Sequence, residues 1–407
     1  MMIGKLGFRN ILRNKRRTII TCLIMGLGLA SLIFADAFLK GLNENMINSV
    51  TNSFIGDGQI HRKDFLKTRE TEKTINDSVY TLNRILANPK ISLAAPRSIA
   101  SAMIASPTDI LPVAIFGIIP EQEEKISSIK NSLISGTYLT EDNQNQILIG
   151  EKLAKFLGSS VGDKIVVTTA QAKSGVLSQE LFRVGGIFKM KNKEMDTSIA
   201  FIHLKKAQEM MAIGLSFHEI VFKFKNKSDV VDPPKDFLSI MSINDNEALS
   251  WKKLVPAIDA GIQLTAYSLT IGSFILFAII ALSTMNTLFM SLYERMYEFG
   301  IMKAIGTRPV FIFRLILLEA ASLALLSTIL GTIVGAAVTL VTRLVGINHL
   351  TDVEYLGTTI KTAIRPIFMP SQYIYYPLAI FIFAIISAIY PAITAARIIP
   401  SKSLKRD

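Results

Sequence analysis

Long apolar stretches separated by polar ones dominate this chain. Four of them reach the roughly 20 mostly apolar residues that a helix needs to cross a ~30 Å hydrocarbon layer. They lie at about 18–38, 263–293, 315–342 and 367–396. A polar stretch of roughly 220 residues separates the first from the second, which is long enough for a globular domain. The pattern predicts a membrane protein with four transmembrane α-helices and a large domain between helices 1 and 2.

The polar stretch mixes strand and helix patterns. Ile220, Phe222 and Phe224 alternate with other residues at the period of a strand. Further strands are predicted at 146–149, 164–169, 181–188 and 199–202, and helices at 151–157 and 204–213. Pro233 and Pro234 mark a break before the chain returns to the second apolar stretch. The intervening domain is therefore expected to be α/β.

Helical spacing extends beyond two of the apolar stretches. Phe38, Leu42 and Met46 continue a helical stripe after the first. A helix from 251 to 292 would be about 60 Å long, twice the hydrocarbon thickness, with a kink at Pro256. Helices of this length predict stalks that carry motion from the membrane to the domain, with an ordinary linker as the alternative.

The net charge of +12 is distributed as in a membrane protein rather than a nucleic-acid-binding one. Basic residues cluster before the first apolar stretch, between the second and third, and after the fourth. They are Lys5, Arg9, Arg13, Lys15, Arg16, Arg17, Arg295, Lys303, Arg308, Arg397, Lys402, Lys405 and Arg406. By the positive-inside bias, these regions face the cytoplasm. Both termini are predicted to be cytoplasmic, and residues of about 40–261 to lie outside.

The N-terminal 17 residues predict an amphipathic helix. Ile3, Leu6 and Phe8 alternate with basic residues, which suits an anionic membrane surface; a basic orientation signal is the alternative. Cleavage as a signal peptide is disfavoured because the apolar run exceeds the usual h-region of about 7–15 residues. The only cysteine, Cys22, lies inside the first apolar stretch, so the outer domain is expected to need no disulfide.

Sequence signatures of enzymes and ion-coupled transporters are missing. The chain has no G-x-x-x-x-G-K-[ST] phosphate loop, no H-E-x-x-H and no G-x-S-x-G, and its four histidines are scattered. Acids are absent from the centres of the apolar stretches, which disfavours proton coupling. We expect a non-catalytic chain without catalytic, cofactor-binding or metal-binding residues.

A charged block lies between the second and third apolar stretches, where residues 294–307 read ERMYEFGIMKAIGT. A short helix between two spans has to lie at the membrane surface. Together with Glu319 and residues 390–392, YPA, the block resembles the FtsX-like permease domain of ABC transporters, whose pattern is E-R-x-x-E-I-G-x-x-K-A-I-G. Phe299 replaces the usual aliphatic residue. The resemblance covers about 263–404.

This resemblance implies that the block is a coupling helix that docks on a separate P-loop ABC ATPase, which would hold the ATP and Mg²⁺. The residues expected to couple to the ATPase are Glu294, Arg295, Glu298, Gly300, Lys303, Ala304 and Gly306.

The polar stretch resembles a related family. Residues 150–154, GEKLA, with Leu157-Gly158 and 161–163, VGD, resemble MacB-type periplasmic domains. Residues 182–188, FRVGGIF, look most like the lipoprotein-releasing permeases LolC and LolE. LolC-like chains carry a proline-containing hook that engages a periplasmic carrier. Residues 170–178 have no proline, a departure that favours a LolE-like chain or another relative.

The resemblance implies a permease subunit in a bacterial inner membrane that extracts lipoproteins for outer-membrane targeting. MacB-like efflux of small molecules or peptides, and FtsX-like signalling to a cell-wall hydrolase, are the alternatives. The implied partners are the ATPase, a second permease copy or paralogue, membrane lipids and a periplasmic lipoprotein carrier, but no nucleic acid. A path for acyl chains is assigned to Phe34, Phe38, Phe274 and Phe277.

The sequence predicts nine segments. The predicted order is a cytoplasmic amphipathic helix, helix 1 with its stalk, the MacB-like domain, the second stalk with helix 2, the coupling helix, helix 3, an outer loop, helix 4 and a cytoplasmic tail. Their bounds are 1–17, 18–54, 55–246, 247–293, 294–308, 309–342, 343–366, 367–397 and 398–407.

Overall fold

The computed structural model describes residues 15–141, 143–190, 193–347, 353–355, 358–360 and 363–399. Most of the predicted N-terminal helix at 1–17, part of the loop at 343–366 and most of the tail at 398–407 lie outside these ranges. The chain divides into a helical unit (residues 1–44, 262–348 and 362–407) and an α/β unit (residues 45–261 and 349–361).

Four of the described helices are long and apolar enough to cross a membrane, which confirms the four predicted transmembrane helices. They are span 1, α1 (Lys15–Val50); span 2, α11 (Pro256–Glu294); span 3, α13 (Pro309–Val345); and span 4, α14 (Gln372–Ala396). Span 2 has 39 residues and is therefore roughly 58 Å long, close to the predicted stalk length.

Two predicted bounds change. Residues 247–250, predicted as the beginning of the second stalk, belong to a strand (Asn246–Ser250) instead. Residues 367–371, predicted as part of helix 4, precede span 4 in an irregular segment and turn that contain Pro370. In both places backbone hydrogen bonds decide where the helix begins, and the pattern of apolar side chains does not reveal them.

Pro256 begins span 2 rather than kinking a longer helix, so the predicted continuous helix from 251 is wrong. A short helix, α10 (Trp251–Leu254), ends at Val255, whose φ of −130° and ψ of 70° are not helical. The residue before a proline avoids the helical region, and proline suits the first turn of a helix. Local backbone sterics therefore separate α10 from span 2.

Small residues allow spans 1 and 3 to pack closely. A Cβ atom on Gly331 would lie 2.5 Å from the carbonyl oxygen of Gly26, and one on Gly335 would lie 3.2 Å from the Cα atom of Ala30. The Gly331-x-x-x-Gly335 pattern predicts such a close approach, as small residues do in membrane helices generally. Met25, Leu29 and other apolar side chains fill the space around this contact.

The α/β unit is built on strands joined through one long strand, β2. The strands are β1 (Gly58–Arg62), β2 (Ile91–Ala105), β3 (Ile110–Ile118), β4 (Leu133–Gly136), β5 (Gln146–Gly150), β6 (Lys164–Ala170), β7 (Leu177–Phe188), β8 (Ile199–His203), β9 (Glu219–Phe224) and β10 (Asn246–Ser250). The first half of β2 pairs with β9, and its second half pairs with β3 and β6. The strand order is β10-β1-β9-β2-β3-β8-β5-β7-β4, and β6 bridges β2 and β7.

Short helices complete the domain. They are α2 (Phe65–Thr68), α3 (Ser78–Leu86), α4 (Pro120–Ile126), α5 (Glu151–Phe156), α6 (Lys193–Ser198), α7 (Leu204–Met211), α8 (Lys227–Val231) and α9 (Lys235–Met241). Ala207, Met210 and Met211 of α7 pack on Ile115 and Val167 of the sheet. The predicted strands at 146–149, 164–169, 181–188 and 199–202 and the predicted helices at 151–157 and 204–213 are confirmed to within a few residues.

Two short elements remain. A hairpin of β11 (Val353–Tyr355) and β12 (Thr358–Ile360) lies between spans 3 and 4, and α12 (Met296–Ala304) lies between spans 2 and 3. The prediction of a short helix between these two spans is confirmed. We call α12 the surface helix.

Candidate functional site

Arg295 immediately precedes the surface helix and fastens it to span 3. Its Nη1 donates to Oε1 of Glu319 at 2.6 Å, and its Nε donates to Oε2 of Glu298 at 3.0 Å. The guanidinium carbon also lies 4.9 Å from the ring centroid of Phe299. Burial alone would lower the pKa of Arg295, but the two carboxylates outweigh it and the pKa is raised. The charged side chain of Arg295 therefore links the surface helix to Glu319 of span 3.

Lys303 fastens the other end of the surface helix to span 4. Its Nζ donates to the backbone oxygen of Ala396 at 2.9 Å and to that of Ile398 at 2.7 Å. These carbonyls lie at the C-terminus of span 4, where helix carbonyls have no partner within the helix and a cation is favourable. The surface helix is thus held at both ends by other parts of its own chain.

Gly306 terminates the surface helix, and glycine is well suited to the left-handed conformation at a helix C-terminus. It has a φ of +91°, and its N–H donates to the oxygen of Lys303 at 3.1 Å. The N–H of Thr307 donates to the oxygen of Met302 at 2.9 Å. These two bonds with a left-handed glycine between them form the Schellman motif. Gly306 therefore reverses the chain toward span 3.

Glu294 joins spans 1 and 2. Its Oε2 accepts from Nη1 of Arg17 at 2.9 Å. One turn along span 1, the hydroxyls of Thr21 and Thr287 are 2.7 Å apart. We call these two contacts the polar ladder; they hold the N-terminal part of span 1 against the C-terminal part of span 2.

Two of the charges predicted to couple to the ATPase also have partners within the chain. Glu298 accepts from Arg295, and Lys303 donates to carbonyls at the end of span 4. Phe299 and Gly300 are buried, and Phe299 packs beside Leu292 and Ile312 of spans 2 and 3. The two charges have these partners because Arg295 lies close enough to pair with Glu298, and because the carbonyls at the C-terminus of span 4 accept from Lys303.

The solvent-facing side of the surface helix is apolar. Tyr297 is 55% exposed, Ile301 41% and Ile305 78%. They follow one another at intervals of four residues and therefore share a face, next to the exposed Ala304. We call Tyr297, Ile301 and Ile305 the apolar stripe. The four-residue spacing of these three apolar residues is the signal for the stripe in the sequence.

A groove of about 380 Å³ lies between spans 1 and 2. Its walls combine leucines with small residues. They are Ser31, Leu32, Ala35, Leu39, Ser268, Leu269, Gly272, Ser273 and Leu276. Ser31 and Ala35 are four residues apart, as are Ser268 and Gly272, so small side chains face each other across the groove and leave it open. Its volume lies within the range typical of ligand pockets.

The four phenylalanines predicted to line an acyl-chain path do not line this groove. Phe34 and Phe38 stack on each other with ring centroids 6.1 Å apart. Phe277 packs against Phe383, with centroids 5.4 Å apart, and Phe274 is 70% exposed. Large aromatic rings fill space between helices, whereas the open space lies beside serine, alanine and glycine.

The β6–β7 hairpin gives the α/β unit an exposed face with apolar and basic residues. Leu177 is 68% exposed, Leu181 is 49% exposed, and both lie on one side of β7 with Arg183. Lys164 pairs with Arg183 in the register of the two strands, and both are exposed. Among the residues that the structure describes, no group of three His, Cys, Asp or Glu is placed to hold a metal ion.

Family comparisons cover nearly the whole chain. The MacB-like periplasmic core domain family matches residues 18–232, and the FtsX-like permease C-terminal family matches residues 270–400. The lipoprotein-releasing system transmembrane protein LolC of Xylella fastidiosa (strain 9a5c) is 21% identical over 346 residues, which is 82% of each chain.

Two further proteins show the range of the likeness. The lipoprotein-releasing system transmembrane protein LolE of Haemophilus influenzae (strain ATCC 51907 / DSM 11121 / KW20 / Rd) is 21% identical over 93% of this chain and 92% of its own. The crystal structure of the periplasmic region of MacB from Actinobacillus actinomycetemcomitans aligns with 50% of this chain and 92% of its own, at 14% identity and a TM-score of 0.35.

The first family match spans more than half of the chain and includes span 1 and most of the α/β unit. The second spans the surface helix and spans 3 and 4, which carry the Arg295 and Lys303 contacts. The chain therefore belongs to the family of the MacB-like periplasmic core domain with an FtsX-like permease C-terminal region, and it is an ABC-type permease of the group that contains MacB, FtsX, LolC and LolE.

Proposed function

We propose that this chain is the non-catalytic permease subunit of an ATP-driven transporter that releases lipoproteins from the bacterial inner membrane. A separate P-loop ATPase binds and hydrolyses ATP on the cytoplasmic side. Both termini and the surface helix lie in the cytoplasm, and the α/β unit is extracytoplasmic. The observation that carries the proposal is the apolar stripe on a helix that is otherwise fastened to its own chain.

The apolar stripe supports docking of the ATPase. Tyr297, Ile301 and Ile305 offer apolar area to a partner, while Arg295 and Lys303 are already used to hold the helix. A helix held at both ends transmits displacement instead of rotating freely. A push on the stripe therefore passes to span 3 through Glu319 and to span 4 through its C-terminal carbonyls.

The groove supports an acyl-chain substrate. Its leucines offer apolar contact, and its small residues leave room for a hydrocarbon chain. The polar ladder holds spans 1 and 2 together at the end that we place in the cytoplasm, whereas the groove lies at residues 31–39 of span 1. The substrate would thus enter from the outer leaflet. Two relatives of similar length are named lipoprotein-releasing proteins.

The exposed face of the β6–β7 hairpin supports transfer to a periplasmic lipoprotein carrier. Leu177 and Leu181 give it apolar area, and Lys164 and Arg183 give it positive charge. A carrier with an acidic rim around an apolar site would fit this face. The hairpin lacks proline, so contact would rest on these side chains rather than on a rigid proline hook.

Reconstitution tests the function. The chain is expressed with an ABC ATPase from the same organism, placed in proteoliposomes that contain a triacylated lipoprotein, and given ATP and a soluble carrier. We expect ATP-dependent transfer of lipoprotein to the carrier, and no transfer with an ATPase variant whose catalytic glutamate is replaced.

Two other outcomes separate the alternatives. ATP-dependent export of a small molecule without lipoprotein release would favour a MacB-like exporter. Activation of a cell-wall hydrolase without any transport would favour FtsX-like signalling. Either result would replace the lipoprotein proposal, and ATP hydrolysis by the purified chain alone would contradict its non-catalytic role.

A further inference from the structure

Residues 363–372 cross the ends of three spans. Ile364 pairs with Ile347, which follows span 3, through backbone bonds of 2.9 and 3.1 Å. Farther along the segment, the N–H of Ile367 donates to the carbonyl oxygen of Ala37 in span 1 at 3.0 Å. The segment then enters span 4 at Gln372. We call residues 363–372 the collar.

Gly41 of span 1 lets the collar lie directly on the helix backbone. A Cβ atom at this position would overlap the carbonyl oxygen of Arg365, and it would lie 3.3 Å from the Cα atom of Pro366. Backbone cannot yield as a flexible side chain can, so any larger residue would lift the collar from span 1.

Asp36 adds a charged contact to the collar. Its Oδ2 accepts from Nε2 of Gln372 at 2.7 Å and from Nζ of Lys40 at 2.9 Å. Asp36 is 5% exposed and Gln372 is 2% exposed. A carboxylate buried in an apolar helix is unfavourable unless it is paired, so Asp36 favours the arrangement in which Gln372 and Lys40 bind it. Together these contacts bind spans 1, 3 and 4 at one end.

Span 2 contributes none of the collar contacts described above. Only 11% of its most apolar 18-residue stretch is buried within the chain, whereas the corresponding shares of the other three spans are 33–39%. Its polar side-chain contacts to span 1 include the polar ladder, a bond from the hydroxyl of Thr284 to Sδ of Met25 at 3.7 Å, and one from the hydroxyl of Thr265 to Oδ1 of Asn43 at 3.3 Å. The groove opens between Thr284 and Thr265.

We propose that the collar keeps spans 1, 3 and 4 together as one rigid body throughout the working cycle, and that span 2 is the span that moves against them. Asp36 and Gln372 are positioning residues in this arrangement, because they set the place of span 1 and take no part in binding substrate. The proposal goes beyond the proposed function, since it concerns which helices move and not what is transported.

Distance measurements test the proposal in the full-length protein in nanodiscs, in a Cys22→Ala background. One spin-labelled pair joins spans 3 and 4 at the exposed residues Leu344 and Leu378; another joins spans 2 and 4 at Tyr267 and Leu378. We expect a narrow, constant distance for the first pair and a broader one for the second. With ATPase and ATP–vanadate, only the second should shift.

Equal widths and equal shifts in the two pairs would overturn the proposal. The comparison of widths needs neither ATP nor substrate. A failure of the proposed lipoprotein function would therefore appear as missing transport with the distance result intact, and the two failures can be told apart.

An exchange of hydrogen-bonding groups tests the roles of Asp36 and Gln372. Gln372→Glu places two carboxylates side by side and should broaden the distance between labels on spans 1 and 4. In the double variant Asp36→Asn with Gln372→Glu, an amide again faces a carboxylate, so the narrow distance should return. An unchanged distance in Gln372→Glu, or no recovery in the double variant, would show that this bond does not position span 1.

Discussion

Arg295 and Glu319 are 24 residues apart and lie on either side of the surface helix, yet Nη1 of Arg295 donates to Oε1 of Glu319 at 2.6 Å. The side chain of Glu319 is 4% exposed, so this contact is shielded from water. A lone acid near the start of an apolar stretch has a structural reason here. It anchors the helix on which we propose that the ATPase acts.

Glu319→Ala should detach the surface helix from span 3. Removal of one member of a buried ion pair leaves the other charge unpaired, which costs roughly 3 kcal/mol or more. We expect normal membrane insertion, a lower melting temperature and loss of ATPase stimulation. Ser322→Ala is the matched control, because Ser322 lies one turn along the same helix at a half-buried position and its hydroxyl donates to the oxygen of Leu318 in that helix. Equal stimulation by the two variants would show that Glu319 has no coupling role.

Two variants of the surface helix separate docking from anchoring. Ile301→Glu puts a charge into the apolar stripe and should weaken ATPase binding at least tenfold without lowering stability. Lys303→Met removes both contacts to the carbonyls of span 4, so it should leave ATPase binding largely intact but uncouple hydrolysis from transport. Copurification measures the first effect, and the ratio of ATP hydrolysed to substrate released measures the second. If Ile301→Glu instead uncoupled hydrolysis from transport and Lys303→Met weakened ATPase binding, the two roles would be reversed.

Gly306→Val should disturb the turn after the surface helix through backbone strain alone. The φ of Gly306 is +91°, which β-branched residues strongly disfavour, while a Cβ atom here would meet nothing within 4 Å. Asn tolerates this region better, so Gly306→Asn should retain most of the ATPase stimulation that Gly306→Val loses. Similar activity in both variants would show that the left-handed turn is not needed.

Labelling tests the proposed orientation. Lys173, exposed at the tip of the β6–β7 hairpin, should react with an impermeant maleimide from outside once replaced by Cys in the Cys22→Ala background. Cys at the exposed Arg308 should react only after permeabilisation. The reverse labelling pattern would overturn the orientation.

The parts of the fold that depend on local pattern were predictable from sequence. Four long apolar stretches predicted the spans, and strand periodicity predicted β9. Gly306 signalled the end of the surface helix because left-handed backbone favours glycine. These features need only neighbouring residues, so a single sequence carries them.

The features that depend on distant contacts were not predictable. Lys303 reads as an exposed charge until the C-terminus of span 4 is placed beside it, 93 residues along the chain. Asp36 likewise gives no sign that Gln372, 336 residues away, will bind it. The sequence predicts an acyl-chain path at phenylalanines because their apolar area is visible in sequence, whereas an empty space between helices, such as the groove, is not.

Two buried histidines predict how acid affects the α/β unit. Nδ1 of His218 accepts from the N–H of Ile99 at 3.1 Å, and its Nε2 lies 2.9 Å from the oxygen of Thr71. One neutral tautomer satisfies both bonds, since Nε2 then donates. Burial lowers the pKa of His218 to about 4. Burial, with Arg69 and Arg97 nearby, lowers the pKa of His61 to about 3.

Each histidine has a lower pKa in the folded state than its unfolded value of about 6.5. At a pH between these two values, the unfolded chain therefore binds more protons than the folded one. These histidines should therefore lower stability as the pH falls from about 6.5 toward 3–4, by up to about 1.4 kcal/mol per pH unit for each. Glu219 and Asp57 oppose this, because burial raises their pKa and the folded state then takes up protons first. A variant is needed to isolate the histidine contribution.

His218→Gln should reduce the loss of stability between pH 6.5 and 4.5. Unfolding exposes the imidazole of His218, which then binds a proton, whereas glutamine binds none. Urea unfolding of the full-length protein can be followed by the fluorescence of Trp251, the only tryptophan, which is 1% exposed. The variant should be less stable than the parent at pH 7.5, and the gap should narrow as the pH falls. A gap that stays constant from pH 7.5 to 4.5 would show that His218 is not the group that acid charges on unfolding.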